Sequence, residues 1–408
     1  MTATELETLS LLHGDAFYLF DESRFVANYT SLLGAFRSHY GSTQIAYSYK
    51  TNYAPAICRR VDSLGGHAEV VSEMEYALAR RVGVRPAMIV YNGPWKSGPS
   101  ILEALTSGSI VNLDSDRDVS LLSDVAKSSA AAPLRVGLRC NLPLEGYPDS
   151  RFGFDVTGSS FRAAIATLRN LPNVQFAGLH CHFPHRELRS FVARSRQIID
   201  LAREVFESPP EFISIGGGFF GSMPESLRRN FPEGVPSFAD YARASGSLFQ
   251  TAFGGLSKQP TLFIEPGTAL VADTFSFAAR VVDIKQIRDR NVACFAGSMF
   301  NISPYSRSQT LPVAVVHLGK DRPQLSGSET FDLAGYTCIE GDVPARNLRG
   351  PLSVGDFVVF SNVGSYSIVM KPPFILPSVP IVMRALSGDT KVIKRAETAD
   401  YVFQNFEF

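Results

Sequence analysis

The residue types able to do chemistry begin with Lys50. It stands in residues 44–52, QIAYSYKTN, where a short apolar run (Ile45, Ala46, Tyr47) ends on a lysine and opens into a polar loop. An arbitrary lysine is ordinarily a solvated charge or half of a salt bridge. Three other features set Lys50 apart: Gly216-Gly217-Gly218 after an apolar run, Glu265-Pro266-Gly267 after another, and Cys338 in a late loop. Together they suit a lysine that holds an aldehyde cofactor as a Schiff base, a recognised role for an activated amine. A carboxylate such as Glu265 beside a pyridine nitrogen would favour the protonated ring, and that cation is an electron sink. The three glycines read as a tight turn or as a phosphate cradle, in which missing side chains let backbone N–H groups approach an oxyanion.

Residues 179–186, LHCHFPHR, carry His180, His182 and His185. Residues two apart on a strand share a face, so a metal-dependent hydrolase is a competing reading. It would need further His or Asp ligands on other strands, and the remaining histidines (13, 39, 67 and 317) are not placed at suitable strand ends. An aromatic platform for a flat cofactor ring is the favoured role of His182. Cys338, in GYTCIEGD (335–342), is by default a small buried apolar residue. It becomes a general acid if a second subunit brings it over the site.

These residues need elements to position them. Apolar, strand-like runs fall at 44–50, 67–72, 88–93, 109–115, 134–141, 176–183, 211–218 and 261–267, with helix-like stretches between them at 73–82, 100–105, 117–126, 161–169 and 188–206. Eight strands alternating with helices predict parallel βα units, and eight closes a (β/α)₈ TIM-type barrel of about 250 residues. An open doubly wound sheet is the alternative. Barrel active sites lie at the C-terminal ends of the strands, and Lys50, Glu69, Ser72, His182, Gly216–Gly218 and Glu265 all fall in or at such ends. After Gly267 the strand-like runs (271–284, 313–318, 335–339, 357–361, 381–386) are not divided by long helices. The spacing predicts a barrel over 22–268 and a mainly antiparallel β domain over 269–408, to which residues 16–21 add a strand.

The 408 residues carry 39 basic and 39 acidic side chains, and without a basic block the chain does not advertise a nucleic-acid or anionic-membrane partner. The N-terminus lacks the pattern of a signal peptide, and no apolar run nears the ~20 residues of a bilayer span. Five scattered cysteines (58, 140, 181, 294, 338) without CxxC spacing fit a reducing cytoplasm.

In motif order the chain resembles the fold-type III pyridoxal-phosphate decarboxylases, the group of ornithine, arginine and diaminopimelate decarboxylases. YSYKTN resembles the family's Y-A-x-K-A-N, Glu69-Val70-Val71-Ser72-x-x-Glu75 its D-x-x-S-x-x-E, and GLHCHF, IGGGF and IEPG follow in order. GYTCIEGD resembles its G-P-x-C-E-x-x-D loop, and Val363-Gly364-Ser365-Tyr366 its G-A-Y segment. The resemblance implies an alanine racemase-like fold and pyridoxal 5'-phosphate as cofactor. It implies that Lys50 carries the cofactor, Glu265 pairs with the ring nitrogen and His182 stacks on the ring. Gly216, Gly217, Gly218 and Tyr366 would bind phosphate, and Glu69, His185 and Gly267 complete the cofactor set. Cys338 of a partner subunit would protonate Cα after CO₂ leaves. Family members are head-to-tail homodimers with shared active sites, in which the positions of Arg151 and Asp342 pair across the interface.

The departures from the family bear on phosphate and substrate. The family's E-P-G-R is Glu265-Pro266-Gly267-Thr268 here, so an arginine that normally helps hold phosphate is lost, with His185 or Arg186 as candidates to compensate. Tyr336 replaces a proline, and Ile339 replaces the glutamate by which diaminopimelate decarboxylases recognise a distal ammonium. Arg307, in SPYSRSQ (303–309), would suit a substrate with an extra carboxylate, since a guanidinium fork matches one bidentately. Arg307, Tyr336 and Cys338 form the expected substrate set. The expectation is decarboxylation of an L-amino acid or amino-acid conjugate, as in family members that process citrate-linked siderophore intermediates. Free diaminopimelate or ornithine is the alternative substrate; a racemase with a tyrosine as second base and a non-catalytic binding protein are competing functions.

Overall fold

Eight parallel strands close on themselves within residues 28–221 and 235–269, the first of two units. In order they are Thr43–Ser48, His67–Val70, Ile89–Tyr91, Ile110–Leu113, Leu134–Asn141, Val174–His180, Phe212–Ser214 and Thr261–Ile264, and the eighth pairs with the first. The computed structural model describes residues 1–129, 133–302, 311–318 and 329–408. Ser72 caps the helix Glu73–Arg81 by accepting the Glu75 N–H at 3.2 Å, and Ser97 caps Gly98–Thr106 in the same way. Each cap satisfies an N–H that the helix cannot pair internally. The longest barrel helix, Leu188–Val205, buries Phe191, Arg194, Ser195, Ile198, Ile199, Ala202 and Val205, an i, i+3, i+4 stripe.

Ala46, Val90, Ile110, Ala177, Phe212 and Phe263 fill the barrel interior. Two facing glycines make room for them. A Cβ on Gly137 would lie 2.8 Å from the Phe212 ring and 2.1 Å from Asn112 Oδ1, and one on Gly178 would lie 2.3 Å from Phe212 O. The strands stop earlier than the apolar runs suggest. The first ends at Ser48, so Lys50 sits in the single turn Tyr49–Thr51, and the sixth and seventh end two residues before His182 and Gly216. At those ends the chain leaves the ladder and its polar side chains turn into the mouth.

The second unit comprises residues 1–27, 222–234 and 270–408. Its sheet runs in the order Ala345–Arg349, Thr330–Ala334, Arg290–Phe295, Phe275–Ile287, Ala16–Asp21, Ile381–Arg384, Thr390–Lys394, with Phe357–Ser361 joining Phe275–Ile287 to Val313–Val316. Ala16–Asp21 is antiparallel to Phe275–Ile287 and parallel to Ile381–Arg384. The helix Ala3–His13 packs Leu6 and Leu9 with Phe17, Leu19, Ala278, Phe357 and Val382. Residues 335–339, expected as a strand, form a loop. The buried Asp342 carboxylate accepts Met299 N–H at 2.7 Å and the Thr337 N–H and hydroxyl at 3.3 and 2.7 Å, which bends the segment out of any ladder.

Phe212→Ala is predicted to lower stability by roughly 3–5 kcal/mol, the usual cost of emptying an enclosed aromatic site. The check is the urea midpoint by circular dichroism.

Candidate active site

The end of the first strand delivers Lys50. Its Nζ donates to Glu69 Oε2 at 2.7 Å and to Ser48 Oγ at 2.6 Å, and Ser48 Oγ donates in turn to Glu69 Oε2 at 2.5 Å. Glu69, on the second strand, is 1% exposed and Lys50 35%. The ammonium is therefore anchored on two buried groups while the side chain stays partly exposed. Gly267 is obligatory here, because a Cβ would stand 2.0 Å from Thr51 Oγ1 in the lysine turn. Ser48 N–H donates to Pro266 O at 3.2 Å, joining the ends of the first and eighth strands.

One amide links Glu69 to Glu265. Asn92 Nδ2, just past the third strand, donates to Glu69 Oε1 at 3.0 Å and to Glu265 Oε1 at 3.1 Å, while Asn112 Nδ2 donates to Asn92 Oδ1 at 2.7 Å. Glu265 also accepts Ser214 Oγ–H at 2.7 Å and lies 3.2 Å from His180 Nε2. Burial acts to raise the Glu265 pKa, but the charge and hydrogen bond of His180, with His182 and Lys50, hold the carboxyl well below the usual range. An anionic Glu265 is what a ring nitrogen needs if it is to keep its proton.

The loop after the seventh strand has its own pattern. Gly216 N–H donates to Ser214 Oγ at 3.2 Å and Gly217 N–H to His182 Nδ1 at 3.0 Å. The N–H groups of Gly218 and Phe219 take no acceptor among the described residues. Gly218 has φ +91°, and a Cβ there would sit 3.0 Å from Phe183 O. A turn with unclaimed amides and glycines that let the backbone come close is suited to hold an anion. Burial, with the charges of Lys50 and Arg139, pushes the His182 pKa well below its ordinary value. With Nδ1 accepting from Gly217, the ring is a neutral plane beside the cradle. The anionic Glu265, the flat His182, the open Lys50 and the free amides fit a phosphorylated pyridine aldehyde.

The three histidines of LHCHFPHR take three different partners: His180 faces Glu265, His182 accepts from Gly217, and His185 packs on Tyr147 with ring centroids 4.2 Å apart. Arg186 lies over Phe220 at 5.2 Å. Lys50, Glu69, His182, Gly216–Gly218, Glu265 and Gly267 thus come together within the barrel unit. Tyr366, Cys338 and Tyr336 belong to the other unit. Tyr366 there has φ +64°, a strained value for a bulky residue. Cys338 is exposed on a concavity of about 530 Å³ whose lining includes Lys285, Arg290, Arg346, Ile339 and Asp342. Arg151 is exposed with its guanidinium over the Phe152 ring at 4.1 Å. Arg307 lies outside the described residues. Ser48, Asn92 and Ser214 were not singled out from sequence: single hydroxyls and amides on apolar strands carry no motif, and only closure of the barrel puts them between the two glutamates.

Among known proteins, residues 27–272 match the pyridoxal binding domain of the pyridoxal-dependent decarboxylases. The chain is 28% identical over 356 residues to diaminopimelate decarboxylase of Archaeoglobus fulgidus, covering 84% of this chain and 82% of that protein. It is 25% identical over 431 residues to L-glutamyl-[BtrI acyl-carrier protein] decarboxylase of Niallia circulans, covering 97% and 94%. The crystal structure of diaminopimelate decarboxylase from M. jannaschii superposes with a TM-score of 0.86 at 24% identity, covering 98% of this chain and 94% of that one. That likeness extends the shared fold to both units.

Two predictions follow from this geometry. Asn92→Ala leaves two buried carboxylate oxygens short of a donor and should cost about 1–3 kcal/mol, read as a lower melting temperature. Burial, with the Glu69 charge, pushes Glu75 from 4.5 up to about 7. The folded-state value is above the unfolded one, so this contribution to stability is full below pH 4.5 and is lost as pH rises towards about 7. Glu75→Gln should flatten that fall in a melting-temperature series.

Proposed function

The chain belongs to the pyridoxal-dependent decarboxylase family, and from that premise we propose that it removes the α-carboxylate of an L-amino acid held in a larger conjugate. The observation that carries the decarboxylase reading is the unbroken hydrogen-bonded series Lys50–Glu69–Asn92–Glu265–His180 at one end of the barrel. It fixes the spacing between a reactive amine and a permanently anionic carboxylate.

Bound pyridoxal phosphate supplies an electron sink for the bond that breaks when CO₂ departs. The residues do the rest. Lys50 binds the cofactor aldehyde, and Ser48 and Glu69 receive and return protons at its Nζ. Glu265 would hold a proton on the ring nitrogen, its anionic form favoured by the hydrogen bond to His180. His182 supplies a neutral platform, and Gly218 and Phe219 offer N–H groups to the phosphate. Cys338, contributed by a second copy in a homodimer with shared active sites, delivers a proton to Cα. Free cysteines throughout the chain are compatible with a reducing cytoplasm.

Support for a conjugated substrate comes from the Cys338 loop. Ile339, where a glutamate would read a distal ammonium, is exposed and apolar; the adjoining concavity is lined by Lys285, Arg290 and Arg346 together with Glu340 and Asp342, and both arginines are paired with Asp332. Lys285, which has no ion pair among the described residues, suits a carboxylate or phosphate on the far part of the substrate. The relative from Niallia circulans is named for an aminoacyl group carried on a protein; citrate-linked siderophore intermediates are another conjugate of this kind. Free diaminopimelate is the second reading, favoured by the name of the Archaeoglobus relative.

A CO₂-release panel of diaminopimelate, ornithine and acyl-linked amino acids tests the substrate: a higher kcat/KM for the linked substrates is expected, and preference for free diaminopimelate would overturn it. Mixing Lys50→Ala with Cys338→Ala tests the shared site. Each variant alone should be nearly inactive, and the mixture should recover about a quarter of wild-type rate, because random reassembly gives half the dimers one intact site. No recovery would place both residues in one protomer's site, and a fully active Cys338→Ala would remove Cys338 from the chemistry.

A further inference from the structure

Arg194 lies on the enclosed face of the helix Leu188–Val205 and is inaccessible to solvent. Its guanidinium packs over the Phe191 ring at 3.5 Å. Nη1 donates to the carbonyls of Ile215 and Gly217, each at 3.1 Å. Nε and Nη2 have no hydrogen-bond partner among the described residues. The ionisable groups around it are chiefly Cys181, Tyr241 and Tyr147, with a smaller influence from Glu265, whose carboxylate already has His180, Ser214 and Asn92. Burial pushes the guanidinium down to about 10, still charged at neutrality. An enclosed cation is costly unless an anion compensates it.

The position of the cation points to that anion. In a trans peptide the carbonyl and the next N–H point in opposite directions. With Gly217 O turned to Arg194, the Gly218 N–H must face away from it, and that N–H is one of the two unclaimed donors of the cradle. A charged donor on the carbonyl also polarises the peptide and strengthens its N–H as a donor. A Cβ at Gly218 would come within 3.8 Å of Nη2, so the guanidinium lies directly behind the loop.

We propose that Arg194 is a positioning residue for the cofactor phosphate: it aims the Gly218 N–H through the Gly217 carbonyl and supplies, from behind the loop, the positive charge that the phosphate balances. The proposal rests on Gly216–Gly218 being the phosphate cradle.

The test titrates cofactor-free protein with pyridoxal phosphate and, separately, with pyridoxal, which lacks the phosphate, following absorbance. Arg194→Met should weaken pyridoxal phosphate roughly tenfold or more, as loss of an uncompensated low-dielectric charge requires, while leaving pyridoxal within about twofold, a level that leaves the aldehyde site intact. Arg194→Lys retains the charge but not the two-carbonyl fork. It should fall between wild type and Met, and it carries the test alone if the Met variant does not fold. Equal weakening of both ligands, or of neither, would overturn the proposal. Wild-type protein that binds pyridoxal as tightly as pyridoxal phosphate would instead refute the cradle itself.

Discussion

Two buried carboxylates bridged by a single amide are the constraint on which the site depends. Two carboxyl groups this close in a closed interior repel unless each is met at its far side by a donor and has hydrogen bonds for its other oxygen. Lys50 and Ser48 serve the first, His180 and Ser214 the second, and Asn92 joins them. The first, second, third, sixth, seventh and eighth strands each contribute a member in or just past its C-terminal end. Only a closed barrel brings six such ends to one network, so the fold's closure and the site's electrostatics are the same condition. A residue such as Gly137, which leaves room for Phe212 and Asn112, therefore matters to the chemistry it never touches.

The glycine loop extends the same logic to an anion. Its first two amides are used within the protein, on Ser214 and His182, so the loop is held in shape before any ligand arrives. The next two, of Gly218 and Phe219, take no acceptor among the described residues. Rigidity of this kind lowers the entropy lost on binding. His182 joins the two regions, since the nitrogen that accepts the Gly217 N–H belongs to the ring expected to carry the cofactor.

Much of this was legible in the residues. Eight apolar runs at regular spacing foretold the barrel, and residues 16–21 do pair with the late strands. Lys50, Glu69, His182, the glycines and Glu265 stood out because their types are unusual at strand ends, and the closed barrel brings them together. Other parts left no local trace. Asn92 and Ser214 look like ordinary strand-end polar residues until the ring closes around them. Arg194 sits on an amphipathic helix and would be taken for a surface cation, although it is enclosed. The run 335–339 alternates like a strand, and only the later Asp342 bends it into a loop. In each case the deciding partner is distant in sequence or lies outside the local pattern.

Covalent chemistry at Lys50 is the central claim, and borohydride reduction followed by peptide mass spectrometry tests it most directly. Purified protein supplied with pyridoxal phosphate should absorb near the blue edge of the visible. Reduction should bleach that band and leave a stable adduct on the peptide bearing Lys50. A protein that stays colourless, or an adduct at another lysine with Lys50 unmodified, would contradict the account.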